Sequence, residues 1–368
     1  MQTFGKLANL RRSEYDPLDP DRFIKKGKRS ILIAILLIIP AALIAVYSFS
    51  VSLYTMDFGD VLGVLYRYFN GIEPADYREM ILDHLVLDNY VPRAFAGLMV
   101  GAILAMGGAV MQSALRNPLA DSYTTGISSG ALFGYTVSVI LGISILPAMG
   151  EVSDIVNAFA FSLIPTAVIL IFTIHRKVTP TAMILIGLGV MYLFSAATTL
   201  LKYTADPKHI AQIYEWSVGS LASAGWNGFP ILLAATIAMA VIFAFLYRRV
   251  NVLSTGENMA VALGVNPQNT RILVLIVVSL CTAAAVCFTG SIGFVGLVIP
   301  HVSRILVGSN LKYLIPTSAM LGAILLVSSD CIARVIGSSG LPVGVITAII
   351  GSPMFLYFLI KQRRSAWQ

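Results

Sequence analysis

The chain alternates between long runs without a charged side chain and short polar knots. Uncharged apolar runs fall at 31–56, 94–115, 122–150, 155–174, 178–201, 227–247, 272–300, 313–329 and 335–360. A helix crosses the roughly 30 Å of bilayer hydrocarbon in about 17–25 residues, so these runs predict membrane-spanning helices. The run 272–300 is too long for one crossing, and TGSIG at 289–293 supplies two glycines where a turn is needed. It therefore splits into a helix ending near Phe288 and another entered at Phe294, which brings the expected number of spans to ten.

The connections between runs differ in character. Segments 57–93, with seven acids, and 202–226, which contains YEWSVGSL, fall on one side of a ten-span topology; LRNPLADS at 115–122 and the longer 248–271 fall on the other. Within 248–271, TGENMAVALGV reads as a short amphipathic helix, with Thr255 as N-cap, Glu257 in the first turn and Gly264 at the C-terminal break. In LRNPLADS, Asn117 and Pro118 stop one helix, and Asp121 is placed to cap the next. Glycines at 97–110, 126–134 and 187–190 predict close helix packing, because apolar burial does not drive helices together within lipid.

Composition agrees with a membrane class: 57% of the 368 residues are hydrophobic and 12% charged, and mean hydropathy is +0.83. The net charge of +7 reports orientation rather than a nucleic-acid partner. With the N-terminus inside, the inner segments hold nineteen of the 25 Lys and Arg, eight of them before the first span, whereas twelve of the 18 acids lie outside. This bias predicts both termini on the cytoplasmic side. The uncharged run 31–56 after KKGKRS reads as a retained first span rather than a cleaved signal. Cys281, Cys287 and Cys331 read as buried hydrophobes, and the four scattered histidines offer no paired ligands, so no metal site is expected.

No Asp, Glu, Lys or Arg falls deep within a predicted span; Asp330 and Arg334 lie toward the outer end of the ninth. Coupling to an ion gradient usually requires such groups at the membrane midplane. The chain has no G-x-x-x-x-G-K-[ST] phosphate loop and no soluble catalytic domain. If ATP supplies the energy, a separate subunit binds it. An ion-coupled secondary carrier, a passive channel and a non-transporting scaffold are the alternatives from other classes.

Five ordered blocks narrow the choice. Pro92-Arg93 and GLMVGAILAMGGAVMQ lead into Arg116-Asn117-Pro118-Leu119-Ala120-Asp121 and GISSGA at 126–131. There follow WSVGSL at 216–221, ALGV around Gly264, GSIGFVGLVIPHVSR at 290–304, and LPVGVITAIIGSPMFLYFL at 341–359. This order resembles the FecCD-type permeases of ATP-binding-cassette importers for iron chelates and vitamin B12. The chain departs from the usual pattern at Ser122, commonly Pro, at Gly340, commonly acidic, and in LDNYVPR, which lacks a basic, leucine-rich approach.

The resemblance implies an all-α polytopic membrane protein of about ten helices with both termini inside, similar to the vitamin B12 importer permease. Its parts would be a cytoplasmic segment 1–30, one permease domain 31–361 and a tail 362–368. It implies a translocation path between two copies, or between this chain and a paralogous permease, in the cytoplasmic or inner cell membrane. Two cytoplasmic ATPase subunits carrying ATP and Mg would bind below, and an extracytoplasmic substrate-binding protein would dock outside. The chain itself would bind no cofactor and catalyse no reaction; its cargo would be a siderophore-type iron chelate, haem or a corrinoid, moved inward by alternating access. The main ATPase-coupling element would be the loop near 254–266, with Gly256, Glu257, Asn258, Ala262, Leu263 and Gly264 as its candidates. The candidate motif or gate region holds Arg116, Asn117, Pro118, Asp121, His301 and Arg304. Polar or adaptable residues of the spans supply path candidates: Met106, Met111, Gln112, Ser113, Ser195, Thr198 and Thr199. Arg67, Arg78 and Arg334 are the candidates for docking the binding protein by charge.

Overall fold

The computed structural model describes residues 20–147, 152–176, 178–337 and 340–366, and among them every regular element is helical. Residues 1–19 of the expected N-terminal segment and the last two of the tail lie outside the described residues. The first span is built from α1 (Pro20–Leu36) and α2 (Ile38–Ser48). Pro40 has no N–H to donate to the Leu36 carbonyl, which accounts for the break at Leu37. A small outer layer follows, made of α3 (Phe58–Asn70) and α4 (Tyr77–Asp83), and a π-helical segment His84–Tyr90 leads directly into α5 (Val91–Ala114). The remaining helices are α6 (Ile127–Leu141), α7 (Val152–Arg176), α8 (Pro180–Tyr203), α9 (Pro207–Val218), α10 (Gly225–Ser254), α11 (Glu257–Ala262), α12 (Pro267–Thr289), α13 (Val295–Val307), α14 (Leu311–Arg334) and α15 (Val343–Ala366).

Seven helical stretches of the described residues are long and apolar enough to cross a bilayer, and Ile127–Leu141, Val295–Val307 and Val343–Phe358 are shorter apolar helices. Together they match the ten expected spans one for one. The split at TGSIG falls where the glycines put it, with α12 ending at Thr289 and α13 beginning at Val295.

The hub is α5, whose residues are buried along almost its whole length; it packs against α10, α12, α13 and α14. Small residues make this possible. At Gly101 a side chain would overlap the backbone of Gly322 in α14, and at Gly108 it would overlap the backbone of Gly296 in α13. Close approach of this kind replaces the missing hydrophobic drive with dispersion contacts between backbones.

The outer segment 57–93 is a small structure in its own right. Asp57 and Asp60 cap α3 reciprocally, each side chain accepting from the other's backbone N–H at 2.8 and 3.1 Å. Val61, Val64, Leu82 and Val86 form a separate apolar cluster beneath it.

Candidate functional site

At about 1.5 Å per residue, α6 and α13 reach only roughly 22 and 20 Å, less than the hydrocarbon thickness. Their inner ends start inside the protein, where loop backbone needs internal partners. Those partners converge. The Ile292 N–H donates to the Tyr123 hydroxyl at 2.5 Å, and the hydroxyls of Ser128 and Ser291 lie 2.9 Å apart. The Ser220 N–H donates to the Thr289 carbonyl at 2.8 Å, and the Gly344 N–H to the Gly219 carbonyl at 3.3 Å. The segments GISSGA, WSVGSL, GSIG and LPVG, far apart in sequence, therefore meet in one hydrogen-bonded layer, the first through side-chain hydroxyls and the others through loop backbone.

LRNPLADS folds as a tight reversal at the end of α5. The Asn117 N–H donates to the Gln112 carbonyl at 3.1 Å, the Asn117 side chain accepts from the Leu119 N–H at 2.9 Å, and Arg116 closes the turn at φ 50°. That position normally takes glycine, and a left-handed Arg costs on the order of 1–2 kcal/mol. Asp121 does not cap α6, contrary to expectation. The helix begins five residues later behind Gly126, and the Asp121 carboxylate instead accepts from the Thr124 N–H at 2.9 Å. Gly126 at φ 87° and the close approach of Thr124 and Thr125 to Gly187 fix the later start.

Burial pushes the Asp121 carboxyl up to about 6, against the opposing effect of its backbone hydrogen bonds. Because the folded-state pKa is raised, this group's contribution to stability is fully present below about pH 4 and is lost as pH rises through 6. Asp121→Asn keeps the acceptor and removes the charge. Its stability gain over wild type is expected to grow between pH 4 and 6 and level off above, on the order of 3 kcal/mol at pH 7. Thermal unfolding of the purified pair across that range measures it, and parallel curves would refute it.

The helix expected in 248–271 is α11, but its N-cap is Gly256 at φ 136°. Thr255 belongs to the end of α10, where its hydroxyl donates to the Val252 carbonyl at 2.8 Å. Gly264 is the C-terminal stop: at φ 77° it lets its own N–H reach the Val261 carbonyl at 3.0 Å and the Val265 N–H reach the Ala260 carbonyl at 2.8 Å. Ala260 is fully buried and holds the helix down, while Met259, Val261 and Leu263 are 55, 63 and 61% exposed. Glu257, Asn258 and Ala262 are exposed as well.

A residue not singled out from the sequence joins this knob to the hub. Arg271 is buried, donates through Nη2 to Glu257 Oε1 at 2.6 Å, and through Nε to the Ala114 carbonyl at 3.2 Å. It thus satisfies one of the orphan carbonyls that end α5. The available signal was its place in the first turns of α12, where a cation opposes the helix dipole and needs a specific acidic partner. Arg116 approaches the same point, its Nη1 3.9 Å from where a Cβ on Gly256 would stand.

Other predicted residues are placed differently from expectation. His301 lies 2.9 Å from the Leu297 carbonyl and stacks on Phe358, and Arg304 donates to Gln112 Oε1 at 2.5 Å. Both therefore tie α13 to its neighbours α15 and α5. Met106, Met111 and Gln112 are buried inside the protomer, which removes them as linings of a path between two copies. Ser113 is half-buried and bonds the Ala109 carbonyl, and Thr198 is buried, whereas Ser195 and Thr199 lie exposed on α8.

Of the docking candidates, Arg334 is buried. It bonds Asp330 at 2.8 and 2.5 Å and the Ser48 carbonyl at 2.7 Å, so it is withdrawn from the docking set. Arg93 grips the same Asp330 at 2.7 to 3.0 Å. Arg67 is held between Glu79 and Asp83 at 3.1 and 2.5 Å, while Arg78 is half exposed and pairs with Asp60 at 3.0 Å.

Comparison with known proteins agrees with this arrangement. Residues 36–361 match the FecCD transport family. An ABC transporter permease protein of Methanocaldococcus jannaschii is 38% identical over 93% of this chain and 98% of its own length. The cobalamin import system permease protein BtuC of Halobacterium salinarum is 38% identical over 73% of this chain and 71% of its own. A solved structure described as an inward-facing metal-chelate type ABC transporter superposes with a TM-score of 0.76 at 30% identity, covering 89% of this chain and 99% of that one. With a family match across most of its length and, among the described residues, seven helices of membrane-crossing length and three shorter apolar ones, the chain belongs to the FecCD transport family and is a multi-pass membrane protein.

Proposed function

We propose that this chain is the permease subunit of an ATP-driven importer that moves an iron chelate, haem or a corrinoid inward by alternating access. The observation that carries the reading is the α11 knob. An apolar, exposed helix is pinned by Arg271 to the end of the central helix α5, so that a force applied to Met259, Val261 and Leu263 passes to the hub rather than into a slack loop. A separate ATPase dimer pressing on two such knobs has a route to the layer where GSIG, WSVGSL and LPVG meet. In this reading the termini, α11 and LRNPLADS face the cytoplasm, and two copies enclose the path, with Ser195 and Thr199 among its linings. Arg67 and Arg78 lie on the outer side toward a binding protein. The kinship with a cobalamin permease and a metal-chelate transporter supports this substrate class.

The test begins with gentle purification from native membranes, with a stoichiometric ATPase as the expected companion. In liposomes containing the recovered complex, Arg271→Gln is expected to lower ATP-driven uptake of hemin or cyanocobalamin by roughly tenfold or more, while ATP hydrolysis persists and the protein stays folded. Gly264→Val, strained at its left-handed position by about 1–2 kcal/mol, should behave alike. Uptake by the isolated chain, driven by an ion gradient and indifferent to both variants, would overturn the proposal.

A further inference from the structure

Two apolar clefts open on either side of one stretch of α14. The first lies between α10 and α14, with Ala240, Ala244 and Ala319 on its walls and Met106 and Phe243 at its floor. The second lies between the first span, α1 and the start of α2, and α14, against Ile31, Ile35 and Ile38. Lys312, Pro316 and Met320 border both. Alanine leaves the first cleft wide, and Pro316, without an N–H, leaves the Lys312 carbonyl without its helical partner at the mouth.

The mouth is cationic. Lys312 and Arg248 are exposed, Arg248 Nε donates to the Tyr247 hydroxyl at 3.1 Å, and Tyr247 itself lines the cleft. No ion pair among the described residues includes either cation. Of the acids in the loops on that side that the structure describes, Glu257 pairs with Arg271, and Asp121 is folded into its own turn. Lys312 lies over the Tyr313 ring at 5.6 Å, so each cation has an aromatic neighbour but no carboxylate among the described residues. A greasy groove between membrane helices that ends at two such cations is complementary to an amphiphile with an anionic head.

We propose that this groove is a binding site for an anionic phospholipid, with one acyl chain lying along Ala240, Ala244 and Ala319 and the phosphate held by Lys312 and Arg248. The clefts flanking α14 make room for the two chains of one lipid. Because α14 packs on α5, the same helix that ends at the coupling knob, a bound lipid would brace the hub from the membrane side. The proposal stands apart from the transported substrate.

Native mass spectrometry of the purified full chain, relipidated from vesicles of palmitoyl-oleoyl phosphatidylglycerol or phosphatidylcholine, tests it. Wild type is expected to retain the anionic lipid roughly tenfold better. Ala244→Phe fills the groove from an outward-facing position that folding does not need, and should lose retained lipid. Lys312→Gln should keep lipid binding but lower the preference for phosphatidylglycerol. Equal retention of the two lipids by wild type, or retention unchanged in Ala244→Phe, would overturn the site. So would a change in oligomeric state in that variant without loss of lipid, since it would assign the groove to a second copy of the chain.

Discussion

Asp330→Ala is expected to destabilise the folded protein by about 3–5 kcal/mol, the range seen when one member of a buried ion pair is removed. Asp330 is 1% exposed and is the only carboxylate that Arg93 and Arg334 bond among the described residues. Removing it leaves two guanidiniums facing each other at the junction of α2, α5 and α14. Arg334 keeps its bond to the Ser48 carbonyl and its place 5.1 Å from the Tyr90 ring, which limits the loss without replacing the charge. Asp330→Asn, which retains shape and an acceptor, should lie between the two. Thermal unfolding in detergent ranks the three, and a wild-type Tm for Asp330→Ala would show that water screens the pair.

Gly108→Val is expected to prevent accumulation of folded protein altogether. Overpacking a core usually costs about 1–3 kcal/mol because flexible neighbours give way. Here the obstruction is the Gly296 backbone, held in the first turn of α13. Moving it means separating α5 from α13 and disturbing the Gln112 bond to the Gly296 carbonyl at 3.2 Å. Gly189→Ala, with open space around it on α8, should be neutral or slightly stabilising, since alanine is the better helix former by about 1 kcal/mol. Size-exclusion profiles of the two variants decide the matter, and a monodisperse Gly108→Val would contradict this account of the hub.

Both predictions concern positions whose identity is plain in the sequence but whose partner is not. GLMVGAILAMGGAV announces close packing, yet nothing in that stretch says that Gly101 meets Gly322 while Gly108 meets Gly296. Asp330 and Arg334 are visible as an i, i+4 pair, which invites reading Arg334 as a surface cation; Arg93, 237 positions from Asp330, completes the cluster and buries it. The same holds for Arg271. Its charge counted toward orientation, but its work is done by two bonds to segments that the fold brings beside it.

The sequence by itself determined that the chain crosses a membrane about ten times, that TGSIG breaks a run in two, that Gly264 ends a short helix, and which family the ordered blocks resemble. These rest on local physics: apolar length against bilayer thickness, backbone freedom at glycine, and residue identity in order. The tertiary structure alone decided which candidates face inward. Methionines at 106 and 111 are hydrophobic side chains of an apolar helix in either case, and only packing on all sides of α5 makes them core. It also decided that Asp121 stitches a turn rather than capping α6, because the start of α6 is set by how closely Thr124 and Thr125 approach Gly187, a contact no local pattern encodes.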